Sequence, residues 1–418
     1  MTPLSLRPAF LALAVALLVP MADATAANKL YLDMPKVPGD VTDPGYVDQI
    51  EVQGFTWHAS VVVGRDDRGR RTVSLPTVQD IAWAPMGSLG SALPLFGFGT
   101  SGKQIPEARF QIVDSTSQRE DPWMVLSTKN SVVSSWAIEG SDVVEQKVSL
   151  NSAALALTAN VLQPAGNVVP QTTSYDIKSG AVEGEAARSP NENLRSTPAR
   201  AGLFLRLGTG EHQIAGDNTS FGHEQWIAID YYSTSVSTPW VPSVGGPAAG
   251  KPSFSDLFWR QKLDATSPVV LRNLLSGTDI GQATLEQVVL TSDGRAMTVM
   301  QLSLSDVVFS SFDLEAATSL DPYIGGTLTF GSYSQTQWLV GPNGSRIGPF
   351  TTGYDLNRGV RTAGSLADAV AGFGSGNLDG TEVINPPPIP EPQTWALMLA
   401  GLAGVLVLAR RQGASHRA

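Results

Sequence analysis

Four histidines, His58, His212, His223 and His416, are all the imidazole chemistry this 418-residue chain offers, and it has no cysteine. Thiolate nucleophiles, Cys-ligated zinc, iron–sulfur clusters and disulfides are therefore excluded. His212 and His223 fall in a polar stretch ahead of a strand-like run, thin material for a metal site. His58 follows Trp57 at a strand end and reads as a surface residue; His416 lies in the C-terminal tail. Two carboxylate pairs, Glu139 with Asp142 and Asp313 with Glu315, have the residue types that flank a glycosidic bond in a glycosidase. Both fall within or just after alternating strands, where a solvated outer face explains them without chemistry. There is no Gly-x-Ser-x-Gly elbow, phosphate loop or dinucleotide fingerprint. GFGSGNLDG at 372–380 lacks the carboxylate alternation of a calcium loop. The expectation is a protein with no catalytic, cofactor-binding or metal-ligating residue, and hence a non-enzyme.

The elements around these residues are mainly strands. Glycine is abundant, with 41 residues, and only 16% of the chain is charged, a balance that favours strands and turns over helices. The net charge of −10 argues against nucleic acid as a partner. The chain also repeats itself. TTSYDIKSG at 172–180 recurs as TTGYDLNRG at 351–359, VVSSWAI at 132–138 as VFSSFDL at 308–314, VQDIAW at 78–83 as FSDLFW at 254–259, and LYLDM at 30–34 as LFLRL at 203–207. The order is kept throughout, so two domain-sized copies are expected, at 27–180 and 201–359. Asp80 with Asp256 and Asp176 with Asp355 are then matched positions, for which a turn or edge hydrogen bond is reason enough. Trp83, Trp136, Trp259 and Phe312 recur at apolar positions and read as core. The segment 181–200 is polar, holds two prolines and reads as a linker. Asp293-Gly294 signals a hairpin, and Asn343-Gly344 a further turn. SPVVLRNLLSG at 267–277 has helical spacing with Pro268 at the first position and Gly277 as the stop. Its counterpart at 90–102 is interrupted by Pro94 and glycines, so an irregular or frayed helix is expected there.

The two ends carry sorting information. Arg7, an apolar run at 10–20 and Ala24-Thr25-Ala26 make a signal peptide over 1–26, with cleavage by signal peptidase after Ala26. At the other end, a Gly- and Pro-rich stalk (360–388) leads into Pro390-Glu391-Pro392, an apolar helix from Trp395 to Ala409, then Arg410 and Arg411. The helix is shorter than the roughly 20 residues of a permanent span, which suits transient inner-membrane anchoring. The tail at 389–412 resembles the PEP-CTERM sorting domain. That resemblance implies recognition by an exosortase at Pro390, Glu391 and Pro392, in a host that makes exopolysaccharide, with delivery to the cell surface or beyond.

Each internal copy resembles the tube protein of type VI secretion systems, the Hcp family. The resemblance rests on the order of features at 30–33, 50–57, 78–83, the helix region, 132–138 and Tyr175-Asp176, and on their repeat counterparts. It implies a mainly β protein made of two tandem antiparallel β-barrels, each with one short helix. It also implies a six-domain ring, and the two-copy chain is expected either as a homotrimeric pseudo-hexamer that closes such a ring or instead as a monomer with paired barrels. Unlike a typical tube subunit, this chain has a signal peptide, two copies and a sorting tail. The expected function is a non-enzymatic surface or matrix protein that assembles or binds exopolysaccharide or other surface proteins. The alternatives are a polysaccharide-acting enzyme and a type VI tube-like protein.

Overall fold

Both copies build the same strand order around one helix each. The computed structural model describes residues 28–363, apart from 68–69, 87–89, 115–120, 141–143, 163–166, 244–245 and 342–343. The expected signal and membrane helices lie outside the described residues, and no described helix is long and apolar enough to cross a membrane. In copy one the main elements are β1 (Asn28–Asp33), β2 (Ile50–Ser60), β3 (Ile81–Pro85), α1 (Ala92–Ser101), β4 (Ile105–Asp114), β5 (Met124–Gly140), β6 (Val144–Asn151), β7 (Ala154–Leu162), β8 (Val168–Asp176) and β9 (Ala181–Glu183). Copy two has β10 (Gly202–Leu207), β11 (Ile227–Ile229), β12 (Tyr231–Ser233), β13 (Leu257–Lys262), α2 (Ser267–Ser276), β14 (Gln282–Leu290), β15 (Ala296–Ser305), β16 (Val308–Ala317), β17 (Leu320–Thr329), β18 (Ser332–Val340), β19 (Arg346–Asp355) and β20 (Val360–Ala363).

Copy one is a barrel because two long strands serve two sheets. One sheet runs β9-β8-β7-β5-β4-β1-β2, and a second runs β2-β3-β6-β5. In copy two the matching sheets are β11-β10-β14-β15-β18-β19-β20 and β12-β13-β17-β16. The long strand bends at matched residues, Asn130 with φ 49° and Asp306 with φ 51°. Asn and Asp tolerate this left-handed conformation better than other L-residues. Alternation then fills the interior. Along β16 every second residue is buried from Phe312 on, and Leu30, Leu32, Ile50, Phe110, Leu205, Trp259 and Phe312 all join one apolar cluster shared by both copies.

Two expectations change here. The region at 90–102 is neither irregular nor frayed. Ala92–Ser101 is an α-helix closed by Gly102 in the left-handed conformation, as Gly277 closes α2. Pro94 falls in the first turn, where its missing N–H has no helical partner to lose. The polar segment at 181–200 is not a bare tether: β9 adds to β8, Arg188 is buried with a bond to Asp217 Oδ1 at 2.6 Å, and Thr197 bridges to Ser220. Its polar side chains dock by hydrogen bonds, which leave no apolar period to read.

Candidate functional site: the seam between the two barrels

The copies meet edge to edge. β2 of copy one pairs antiparallel with β16 of copy two, from Gly54 opposite Ala317 to Ser60 opposite Ser311. Period-two alternation sorts the side chains on both strands. Phe55, Trp57 and Ala59 turn into the core with Phe312, Leu314 and Ala316, and the Trp57 and Phe312 rings lie 5.8 Å apart. Gly54 permits the close approach, because a Cβ there would meet the Ala316 carbonyl oxygen at 2.9 Å. Beyond the strand pair, the Val61 N–H donates to the Ser310 carbonyl at 3.0 Å.

Helix α2 forms the second half of the seam. It packs against β7, β8 and β9 of copy one. The Thr173 hydroxyl donates to the Pro268 carbonyl at 2.6 Å, and Asn273 Nδ2 donates to the Ala186 carbonyl at 2.7 Å. At its entry, Asp264 accepts from the Thr266 N–H at 2.9 Å and from Gln261 Nε2 at 3.2 Å. Burial, reinforced by Asp217, pushes the Asp264 carboxyl up to about 6.

A matched aspartate props each barrel's edge. Asp256 accepts from Ser310 Oγ at 2.6 Å and Thr329 Oγ1 at 2.8 Å. Asp80 accepts from Ser134 and from Asn151 Nδ2 at 2.7 Å. Ser134 and Ser310 are the extra residues of β-bulges at equivalent points, between Val133 and Ser135 and between Phe309 and Ser311. Asp176 and Asp355 instead brace turns, accepting from the Ser179 N–H at 2.7 Å and the Arg358 N–H at 2.9 Å.

On the outer face of the seam is an open groove of about 530 Å³, lined among others by Thr56, His58, Asp80, Phe258, Asp313 and Tyr323. His58 lies inside β2, not at a strand end, and its Nδ1 is 2.6 Å from Asp313 Oδ1, directly across the seam. Its half-buried place comes from a partner strand of the other copy, which no local pattern shows. The Tyr323 hydroxyl donates to Glu315; burial first, then this carboxylate, push the phenol up to about 12. Asp313 and Glu315 are thus engaged with His58 and Tyr323. Glu139 pairs with Lys147 at 2.7 Å, and Asp142 lies outside the described residues.

His212 sits in a short 3-10 turn, whereas His223 is buried, stacked on Phe204 at 4.4 Å and bonded to Glu286 at 2.9 Å. Burial alone would raise the Glu286 carboxyl; bonds from His223, Thr298 and Gln301 more than offset it and hold it below the usual glutamate value. No group of three or more acidic or histidine side chains suited to a metal occurs among the described residues. Trp83 and Trp259 are core, while Trp136 is half-buried against Phe96 of α1. The sorting residues Pro390, Glu391, Pro392, Trp395, Arg410 and Arg411, and the cleavage residues Ala24 and Ala26, lie outside the described residues.

A protein-family profile described as "Type VI secretion system effector, Hcp" matches residues 31–158 and again 204–338. Among solved structures, Hcp1 from Salmonella typhimurium is 18% identical, covering 37% of this chain and 97% of that one at a TM-score of 0.30. A type VI secretion system effector from Yersinia pestis is 13% identical, covering 35% and 98% at 0.27. The secreted protein Hcp3 from Pseudomonas aeruginosa is 14% identical, covering 37% and 97% at 0.29. A search of curated proteins finds no match.

Proposed function

The chain belongs to the Hcp family of type VI secretion effectors, and from that premise we propose that it is an exported tube-like protein whose two barrels occupy neighbouring positions of one ring. The observation that carries this reading is the internal seam. β2 and β16 join the copies through strand edges, so one chain is already a two-barrel arc with a matched edge left over at each end among the described residues. Such a head-to-tail contact is heterologous and generates a ring when its rotation closes. Three chains then supply six barrels.

The signal at 1–26 and the tail at 389–412 support export by signal peptidase and exosortase-type processing, with the assembly at the cell surface. Exopolysaccharide or surface proteins are its proposed surroundings. The sequence pattern at Ala24, Ala26 and Pro390–Pro392 is the support for that part. Light scattering on the processed protein from the host's exported fraction tests the assembly, and three chain masses are expected. A single chain mass at working concentrations overturns the ring.

A further inference from the structure

The internal seam uses one half of each copy and leaves the other halves without a partner among the described residues. Copy two's edge, β16, is covered by β2, and its residues 310–316 are buried or half-buried. The matched edge in copy one, 132–140, pairs with β6 on one side only among the described residues, and Ile138 is 49% exposed. Likewise β2 lies between partners, whereas among the described residues its counterpart β12 pairs only with β13, and Tyr231 is 50% exposed. The helices show the same division. α2 is covered by copy one, while Leu93 of α1 is 80% exposed and Phe96 48% exposed. Uncovered strand edges of this kind are templates for pairing with another chain.

The repeat fixes how these halves would meet. Phe55 and Thr56 face Trp83 and Ala82, as Tyr232 and Ser233 face Trp259 and Phe258, so Ser233 is the counterpart of Thr56. The shared bulge at Ser134 and Ser310 makes Glu139 the counterpart of Glu315. In the internal seam, Thr56 lies opposite Glu315. We infer that a second copy of this chain docks by laying its 231–237 edge on the 132–140 edge and α1 of the first, in the register that sets Ser233 opposite Glu139. This rests on the tube-like assembly proposed above and adds its surfaces and register. The new seam lacks the His58–Asp313 hydrogen bond of the internal one, because Ser235 and Ala137 take the places of His58 and Asp313. Its apolar contribution comes from Leu93 and Phe96.

The absence of cysteine makes the register directly testable in the full chain. Residues directly opposite across a strand pair are within reach of a disulfide; those two positions off are not. One full-length chain carries Ser233→Cys, a second Glu139→Cys, and the two are mixed in detergent under mild oxidation. The expected result is a covalent pair forming at least tenfold faster than with Ala137→Cys as the second chain. A doubly substituted Thr56→Cys/Glu315→Cys chain is the folding control and should link within itself. Phe96→Asp should slow the interchain link at least tenfold and leave the internal link unchanged. If the internal link forms and three chain masses are seen, but Ser233 and Glu139 do not link, the register is overturned and the ring stands. If the internal link forms and only single chains are seen, both fall. Failure of the internal link removes the template and overturns the inference, and an unaffected Phe96→Asp chain overturns the role of α1.

Discussion

Helix α2 buries eight of its ten residues, and helix α1, in the same place of the same repeat, buries two. The surroundings differ, not the helix geometry: both run ten residues and end on a left-handed glycine. Copy two has copy one's β7, β8 and β9 to cover its helix, whereas among the described residues α1 packs on β5 of its own copy. Sequence has followed burial. VVLRNLL in α2 is regular, and the matching PLFGFGT keeps apolar bulk but admits Pro94, Gly97 and Gly99. A duplicated domain thus drifts according to which of its faces the chain itself covers.

The sharpest way to break this comparison is to truncate buried residues of α2 and an exposed residue of α1. Leu271 and Leu274 are fully buried, so Leu271→Ala or Leu274→Ala should cost about 2–5 kcal/mol in urea unfolding. Leu93→Ala, at an exposed site, should stay within about 0.5 kcal/mol. Equal costs would mean that α1 is covered in a way the described residues do not show.

Copy two should also show a pH signature at Asp264. The folded Asp264 carboxyl stands at about 6, above the 3.8 of an ordinary aspartate. Between those values the folded state holds more protons than the unfolded one, so stability falls as pH rises from about 4 to 6 and is flat above. The span of about two pKa units corresponds to a loss of about 3 kcal/mol. Glu286 runs the other way, since its folded value is lowered, and its stabilisation is lost as pH falls below the ordinary glutamate range. Asp264→Asn should remove the slope between pH 4 and 6 and leave the loss at lower pH. A slope that survives the substitution would place its source elsewhere.

The matched aspartates offer a finer comparison. Asp256 satisfies the buried Ser310 hydroxyl, so Asp256→Ala should cost about 1–3 kcal/mol. Asp80 bonds the exposed Ser134 side chain and Asn151, and water can replace it there, so Asp80→Ala should cost no more than about 1 kcal/mol. Chemical denaturation of the two variants side by side decides it. If Asp80→Ala is the costlier, the copy-one edge is less open than its exposure indicates.

Much of this was legible in residues, and what was not has a common physical cause. The four repeated peptides mark matched strands, and the VVSSWAI and VFSSFDL pair already contains the bulged Ser134 and Ser310 that hold Asp80 and Asp256. The cross-copy pairing of β2 with β16 was not legible. Alternation tells which side chains of a strand face the core, but any partner strand satisfies the same alternation. His58 therefore reads as a surface residue until Asp313 is placed opposite it. Arg188 and Thr197 escaped for a related reason, because a segment docked through polar groups has the composition of a loose one. α1 was misread because propensity penalises proline and glycine wherever they fall, while here Pro94 sits in the first turn and Gly97 and Gly99 on the exposed face.

The smallest expected effect bears on the seam itself. His58 and Asp313 are 2.6 Å apart with side chains 29% and 44% exposed, so water and salt screen their attraction. A double-mutant cycle of His58→Ala and Asp313→Ala should give a coupling of about 0.2–1 kcal/mol, decreasing as salt is raised. The strand pair, with Trp57 and Phe312 behind it, supplies the rest of the adhesion, so neither single variant should separate the barrels. The coupling is informative because the pair exists only at the internal seam, where it joins strands of different copies. A coupling of zero at low salt would show that the seam rests on the strand pair and the Trp57–Phe312 contact alone. A coupling several times larger would show that the groove is drier than its exposed rim implies, with the His58–Asp313 contact holding the two strands in register.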